Sequence, residues 1–290
     1  MWQLLPSLEG LERAELLIEL SNKASLRGSR EEALTLAEEA HIEIQKSEGS
    51  DSLLAMALLA KGNALAQLGR KLEAVTVMEE MIEVSRALED PFIDDHLRVQ
   101  ADWFGDLGDW QASLECQLEA VKVNEINGDQ LWLAQSFFFA ACCFQNLEDF
   151  EIAITHYKKA RTIYKLLRNV KEVGKCDIWI GECYATLGNG EMALTYGNQA
   201  IDISRSLKHT PWTIMSLLVL GKARALLGEF DKAESNLIEA DSLSVSAEFL
   251  NWNVILEISG ELAKVYRQGK RFNLADEIDA RVATIQEILE

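Results

Sequence analysis

Four histidines, five cysteines and a large excess of carboxylates are the groups in this chain able to ligate a metal or attack a bond, and their spacing assembles no reaction. His41, His96, His156 and His209 are scattered, and none falls in an HExxH or comparable ligand spacing. Cys116, Cys142, Cys143, Cys176 and Cys183 sit in apolar or small-residue company within helical patterns. Their odd number and the lack of a CxxC pair speak against a disulfide framework or a zinc site. They are expected to be small buried hydrophobes. No GxSxG, GxxxxGK[ST] or GxGxxG occurs. The nearest approach, Gly188, Gly190 and Ala193, joins two helices and follows no strand. Carboxylates such as Glu79, Glu80 and Glu83, or Asp94 and Asp95, run along helix surfaces as solvated charge does. These residues point to recognition rather than catalysis, with no metal and no cofactor.

Charge narrows the partner. The 290 residues carry 28 basic and 47 acidic side chains, a net of −19. A nucleic-acid partner is not expected, because phosphates need a basic face. The charge is uneven: residues 1–150 hold 11 basic and 28 acidic groups, and residues 151–290 hold 17 and 19. Within the second half runs a basic stretch, Lys158, Lys159, Arg161, Lys165, Arg168, Lys171 and Lys175, opposed only by Glu172. It reads either as a solvated helix face or as a docking patch for an acidic partner. A second copy's acidic front half would fit, giving a homo-oligomer through unlike-charged halves; such a heterologous contact builds rings or filaments. No apolar run approaches the roughly 20 residues needed to cross a bilayer. The opening Met-Trp-Gln-Leu-Leu-Pro lacks the basic start of a signal peptide, so no membrane contact and a cytoplasmic location are expected.

The elements that position these groups repeat. A turn followed five residues later by a small residue recurs seven times: Gly28 and Ala33, Gly69 and Ala74, Gly108 and Ser113, Glu148 and Ala153, Gly188 and Ala193, Gly228 and Ala233, Lys270 and Ala275. The turns lie 41, 39, 40, 40, 40 and 42 residues apart. Seven residues before each turn stands another small residue: Ser21, Gly62, Ala101, Ala141, Gly181, Gly221 and Ala263. The turn ends one helix with a left-handed residue. The small residues let two helix backbones approach, and larger ones between them fill the grooves. Each pair then has one apolar face for its partner and one for the next pair, so several must stack to bury both.

These residues resemble the tetratricopeptide repeat family. In Phe137–Ala160, the residues Phe137, Ala141, Phe144, Asp149, Phe150, Ala153, Tyr157 and Ala160 fall on the family's signature places. Gly221, Gly228, Glu229, Phe230, Ala233 and Ala240 match nearly as well. The period is near 40 where the family's usual period is 34, and the proline that commonly closes its second helix is missing. The longer period is similar to that of scaffolds, cargo adaptors and the sensor arrays of bacterial regulators. The resemblance implies an all-α, right-handed superhelical solenoid of about seven antiparallel helix pairs. The expected repeats are 10–49, 50–89, 90–128, 129–169, 170–208, 209–248 and 249–290, forming one continuous domain over 10–290. The segment 1–9, with Trp2, Leu4 and Leu5, is expected to fold back over the first pair. Asp90-Pro91 and Thr210-Pro211 read as helix starts, and the last helix reads as a solubilising cap.

In that family the first helix of each pair lines the concave groove where ligands lie. Three register positions on the first helices are read as inward. One follows the small residue: Asn22, Asn63, Asp102, Cys142, Glu182, Lys222 and Lys264. One lies three before it and includes Leu59, Arg98 and Phe138. One lies six before it and includes Met56, Asp95, Gln135, Lys175 and Glu257. Asn22 and Asn63 match the asparagine with which the family holds a ligand's backbone. Phe138 sits in a run of three aromatics and is either a groove anchor or core. Arg267 adds to the later cations. A clamp for a carboxy terminus is disfavoured, since Asp102 stands one turn from Arg98. The function this implies is a non-catalytic adaptor binding a protein or extended peptide. The alternatives are a ligand-responsive regulator that sequesters a partner and a self-assembling scaffold.

Overall fold

The computed structural model describes residues 5–47, 50–90, 92–245 and 251–289. A 3-10 turn, Leu5–Ser7, precedes three helix pairs: α1 (Gly10–Leu26) with α2 (Arg30–Lys46), α3 (Asp51–Gln67) with α4 (Lys71–Ala87), and α5 (Ile93–Asp106) with α6 (Trp110–Asn127). Four more pairs follow: α7 (Gln130–Asn146) with α8 (Phe150–Leu166), α9 (Val170–Thr186) with α10 (Gly190–Ser206), α11 (Thr210–Leu226) with α12 (Phe230–Ser244), and α13 (Trp252–Gln268) with α14 (Phe272–Leu289). No strand occurs among the described residues. The fold is an all-α helical repeat, as the register predicts.

The turns show why the register is so regular. All seven turn residues are left-handed: Gly28, Gly69, Gly108, Gly188 and Gly228 at φ +75 to +80, Glu148 at +65 and Lys270 at +59. The residue after each donates its N–H five residues back, as Arg70 does to Leu65 O (2.9 Å), Asp109 to Phe104 O (2.9 Å) and Glu229 to Arg224 O (2.9 Å). That bond satisfies a carbonyl the helix end would leave orphaned. The same residue then starts the next helix, its carbonyl accepting from the small residue four on: Ala74 N–H to Arg70 O (3.0 Å), Ser113 to Asp109 O (3.0 Å), Ala233 to Glu229 O (3.0 Å). One residue thus closes one helix and opens the next. Three links between pairs use left-handed residues that bear side chains, Glu89, Arg168 and Lys208, at φ +51 to +55, and the link after α6 uses Gly128 at φ +77.

The two small positions of each pair meet where its helices cross. Ser21 Oγ donates to Ala33 O (2.7 Å), and Ser113 Oγ donates to Ala101 O (2.8 Å). A Cβ added to Gly181 would stand 2.8 Å from Val219 Cγ1, and one added to Gly221 would stand 2.6 Å from Leu237 Cδ2. A methyl group at Gly181 would force Val219, on α11 of the next pair, to shift, and one at Gly221 would force Leu237 of its own pair to shift.

Contacts group the chain into two compact units, Met1–Cys143 and Phe144–Glu290. The first is built on Leu17, Leu34, Leu58, Leu65, Met78, Met81 and Leu97. The second includes a core of Leu217, Leu218, Leu220, Leu237, Ile258 and Leu262. Within each, consecutive helices pack together, and first helices also touch across pairs: α1 with α3, α9 with α11, α11 with α13. The continuous domain expected over 10–290 rests on the register alone.

Some details differ from expectation. Of the amino-terminal segment, Leu5 packs against the first core, while Trp2 and Leu4 lie outside the described residues, as does Pro91. The helix expected to start at Thr210-Pro211 starts one residue earlier: His209, not Thr210, is the cap, its ring accepting from Trp212 N–H (3.3 Å). The left-handed Lys208 sets His209 at that junction. The last helix buries Ala275 and Ile285 but leaves Phe272, Leu274, Ile288 and Leu289 exposed, so its outer surface is less polar than a pure cap.

Candidate functional site: the first-helix face

The position after the small residue and the one six before it are open to solvent on most first helices. Asn22, Asp102 and Lys264 are exposed; Asn63, Cys142, Glu182 and Lys222 are half-buried. Met56 is exposed, and Asp95, Gln135 and Lys175 are half-buried. The position three before the small residue behaves differently. Ile18, Phe138, Ile178 and Leu218 are buried there, because it faces the seam between neighbouring pairs. Of the two readings open for Phe138, groove anchor or core, the second holds: it is 3% exposed. Its neighbour Phe139 lies edge-on to it (5.6 Å) and reaches the surface instead.

In the first unit two cavities lie on this face. One of about 730 Å³ is lined from α3 by Met56, Leu59 and Asn63, and from α5 and its approach by Asp90, Phe92, Asp95, His96 and Val99. Beside it, Arg98 pairs with Asp95, donates to Gln135 Oε1 (3.2 Å) and lies 4.3 Å over the Trp132 ring. The structure so brings the expected Arg98 and Gln135 together. A second cavity, of about 440 Å³, holds Asp102, Trp110, Gln117, Phe139 and Cys142.

In the second unit Glu182, Lys222 and Lys264, three expected site residues, line one cavity of about 340 Å³ with Glu261 and Gln268. Lys222 Nζ on α11 donates to Glu182 Oε1 on α9 (2.5 Å) and to Glu257 Oε1 on α13 (2.7 Å). One ammonium thus ties three successive first helices. Burial raises the Glu182 carboxyl above its ordinary pKa despite Lys222. For Lys222 burial pulls the other way, and the two carboxylates overcome it, so its pKa is raised. Lys264 pairs with Glu261 (2.7 Å), Lys175 with Glu172 (3.9 Å) and Arg267 with Asp279. Asn22 stands exposed, lining none of these cavities.

The basic stretch is divided by the fold. Arg161, expected in a docking patch, instead turns onto Asp177, whose side chain is fully buried, and onto Gln199. Lys158 Nζ donates to Tyr184 Oη (2.8 Å). Lys159, Lys165, Arg168 and Lys171 remain exposed, with Lys171 5.5 Å from the Trp212 ring. Arg161 is diverted because a buried carboxylate without a cation would be far more costly than a solvated guanidinium is favourable.

Cys143, Cys176 and Cys183 are buried, and burial raises the thiol of Cys116 to about 12. Among the described residues, no cluster of three or more His, Cys, Asp or Glu side chains is placed to hold a metal, and no helix is long and apolar enough to cross a membrane.

Residues 176–240 match the family model for the tetratricopeptide repeat. That segment carries the tetratricopeptide repeat. A search of curated proteins finds no match. Solved structures share the tetratricopeptide architecture at low identity. A signal transduction ATPase with numerous domains and a tetratricopeptide repeat sensor, from Pyrococcus horikoshii, superposes with a TM-score of 0.68 at 16% identity, over 96% of this chain and 40% of that one. A Rap protein complexed with competence and sporulation factor gives 0.62 at 15%, over 94% and 76%. NprR in complex with its cognate peptide NprX gives 0.61 at 14%, over 93% and 78%. At these identities the likeness is one of fold.

The register missed several residues of this face. Phe92 enters from the approach to α5, which the small-residue rule does not reach, and His96 from the first turn of α5, off the three register positions. Trp132 and Asp177 meet their cations through packing between helices, and no spacing within one helix signals that.

Proposed function

We propose that this chain is a non-catalytic module that binds a protein or an extended peptide on its first-helix face. The observation that carries this reading is the convergence of side chains from successive first helices. Met56 and Asn63 on α3 share a cavity with Asp95 on α5, and Glu182, Lys222 and Lys264 share another across α9, α11 and α13. Such a surface offers amides, charges and apolar area in one strip, the mix that holds an extended chain. A photo-crosslinker at position 56, on this face, is expected to trap a partner in a cytosolic extract. The same probe at Leu72, which is 72% exposed on the second helix α4, is expected to trap none. Crosslinks from position 72 alone would overturn the assignment.

A second reading has support in the solved structures of Rap and NprR, each with a bound factor or peptide: a regulator whose curvature changes when ligand binds and which acts by sequestering a partner. Small-angle scattering with and without a bound peptide tests it, and an unchanged radius of gyration would count against it.

A further inference from the structure

The cavity between α3 and α5 has a definite chemistry. Its floor is apolar and open: Met56 is 48% exposed and Phe92 64%. Surface aromatics and methionines beside a concavity are where contact area is gained on binding. At about 730 Å³ it has room for more than one side chain. Its charged lining is acidic. Asp90 Oδ1 accepts from Phe92 N–H (2.9 Å), and Asp95 pairs with Arg98. Each carboxylate keeps further acceptor sites.

The nearby guanidinium is already engaged. Arg98 serves Asp95, Gln135 and Trp132. His96 Nδ1 lies 3.6 Å from Asp90. The unit as a whole, residues 1–143, carries 11 basic and 26 acidic groups, a net of −15. An anionic guest meets repulsion there, and a wholly apolar one desolvates the carboxylates' remaining acceptor sites without replacing their water. Among the described residues, no hydrogen bond occupies the Asn63 side chain, so it is free to take a peptide's backbone N–H and C=O together.

We propose that this cavity selects a cationic, apolar peptide segment: an aliphatic or aromatic side chain on Met56 and Leu59, a neighbouring Lys or Arg against Asp90 and Asp95, and the backbone on Asn63. The proposal rests on the first-helix face being the binding face.

The test is fluorescence anisotropy of the full chain with three labelled nonapeptides of equal length. One alternates Leu or Phe with Lys or Arg, one carries Glu in place of the cations, and one carries Ser in place of the apolar residues. The first is expected to bind at least tenfold more tightly than either other. Its affinity is expected to fall about tenfold in Met56→Ser and in Asp90→Asn with Asp95→Asn, and to weaken with salt. Met56 is exposed, so Met56→Ser is expected to melt with the parent and keeps the test open if the double variant is unstable. Preference for the acidic peptide overturns the proposal while leaving the binding face in place. Cationic-apolar binding undiminished in Met56→Ser also overturns it, as does failure of all three peptides to bind; the crosslinking from position 56 then judges the broader reading separately.

Discussion

At the scale of single residues, the charges that matter most are those the fold has turned inward. Arg161 compensates a fully buried Asp177. Removing one partner of such a pair leaves the other charged and dry, so Arg161→Ala is expected to cost about 3–5 kcal/mol in urea unfolding. A loss below about 1 kcal/mol would return Arg161 to the surface patch read from the sequence. Glu182 supports a prediction in pH. Its folded pKa is raised above the ordinary 4.5, chiefly by burial. The folded chain therefore holds that proton more firmly than the unfolded chain. Its stabilising share is complete below pH 4.5 and is lost as pH rises through the raised value. Glu182→Gln, which cannot ionise, is expected to flatten the fall of melting temperature with pH above 4.5; parallel curves for parent and variant would refute this. The sequence placed Glu182 and Lys222 on one face. It did not show that Lys222 bridges to Glu257, because that depends on how α9, α11 and α13 stack.

At the scale of elements, the left-handed turn governs. Glu148 adopts φ +65 at a place where five of the seven equivalents are glycine. A side chain there costs roughly 1–2 kcal/mol, so Glu148→Gly is expected to raise stability by about 1 kcal/mol. Gly228→Ala is expected to lose about as much, although nothing stands within 4 Å of the added Cβ; thermal melting of both variants checks the pair. Gly221→Ala is expected to be worse, since Leu237 must move. The turns and crossings were legible in sequence because backbone strain and close approach restrict residue type at single positions. The faces were legible at two of three register positions. Phe138 stayed ambiguous because an aromatic suits a groove and a seam equally well, although Ile18, Ile178 and Leu218 in the same register already marked that position as apolar.

At the scale of the whole molecule, helices of a repeat array depend on their neighbours rather than on a central core. Lys222→Met removes the tie among α9, α11 and α13 and leaves Glu182 unpaired, so a cost of about 3 kcal/mol is expected. Hydrogen exchange should register it locally. Amides of α9, α11 and α13 are expected to lose protection, while those of α1 and α3, in the other compact unit, keep theirs. Uniform loss along the chain would mean the two units unfold as one.

The residue that closes one helix and opens the next has a consequence for how such a chain can change length. A turn with no spare residue has no slack. One inserted amino acid would rotate the following helix by about 100° and shift it about 1.5 Å, carrying the buried Ala33 or Ala74 out of its crossing and a solvated neighbour into it. Insertions and deletions inside a pair are thus errors of phase, which loosening the loop cannot absorb. The array is quantised: it tolerates gain or loss in whole repeats of about 40 residues, and its first-helix strip lengthens only by that step.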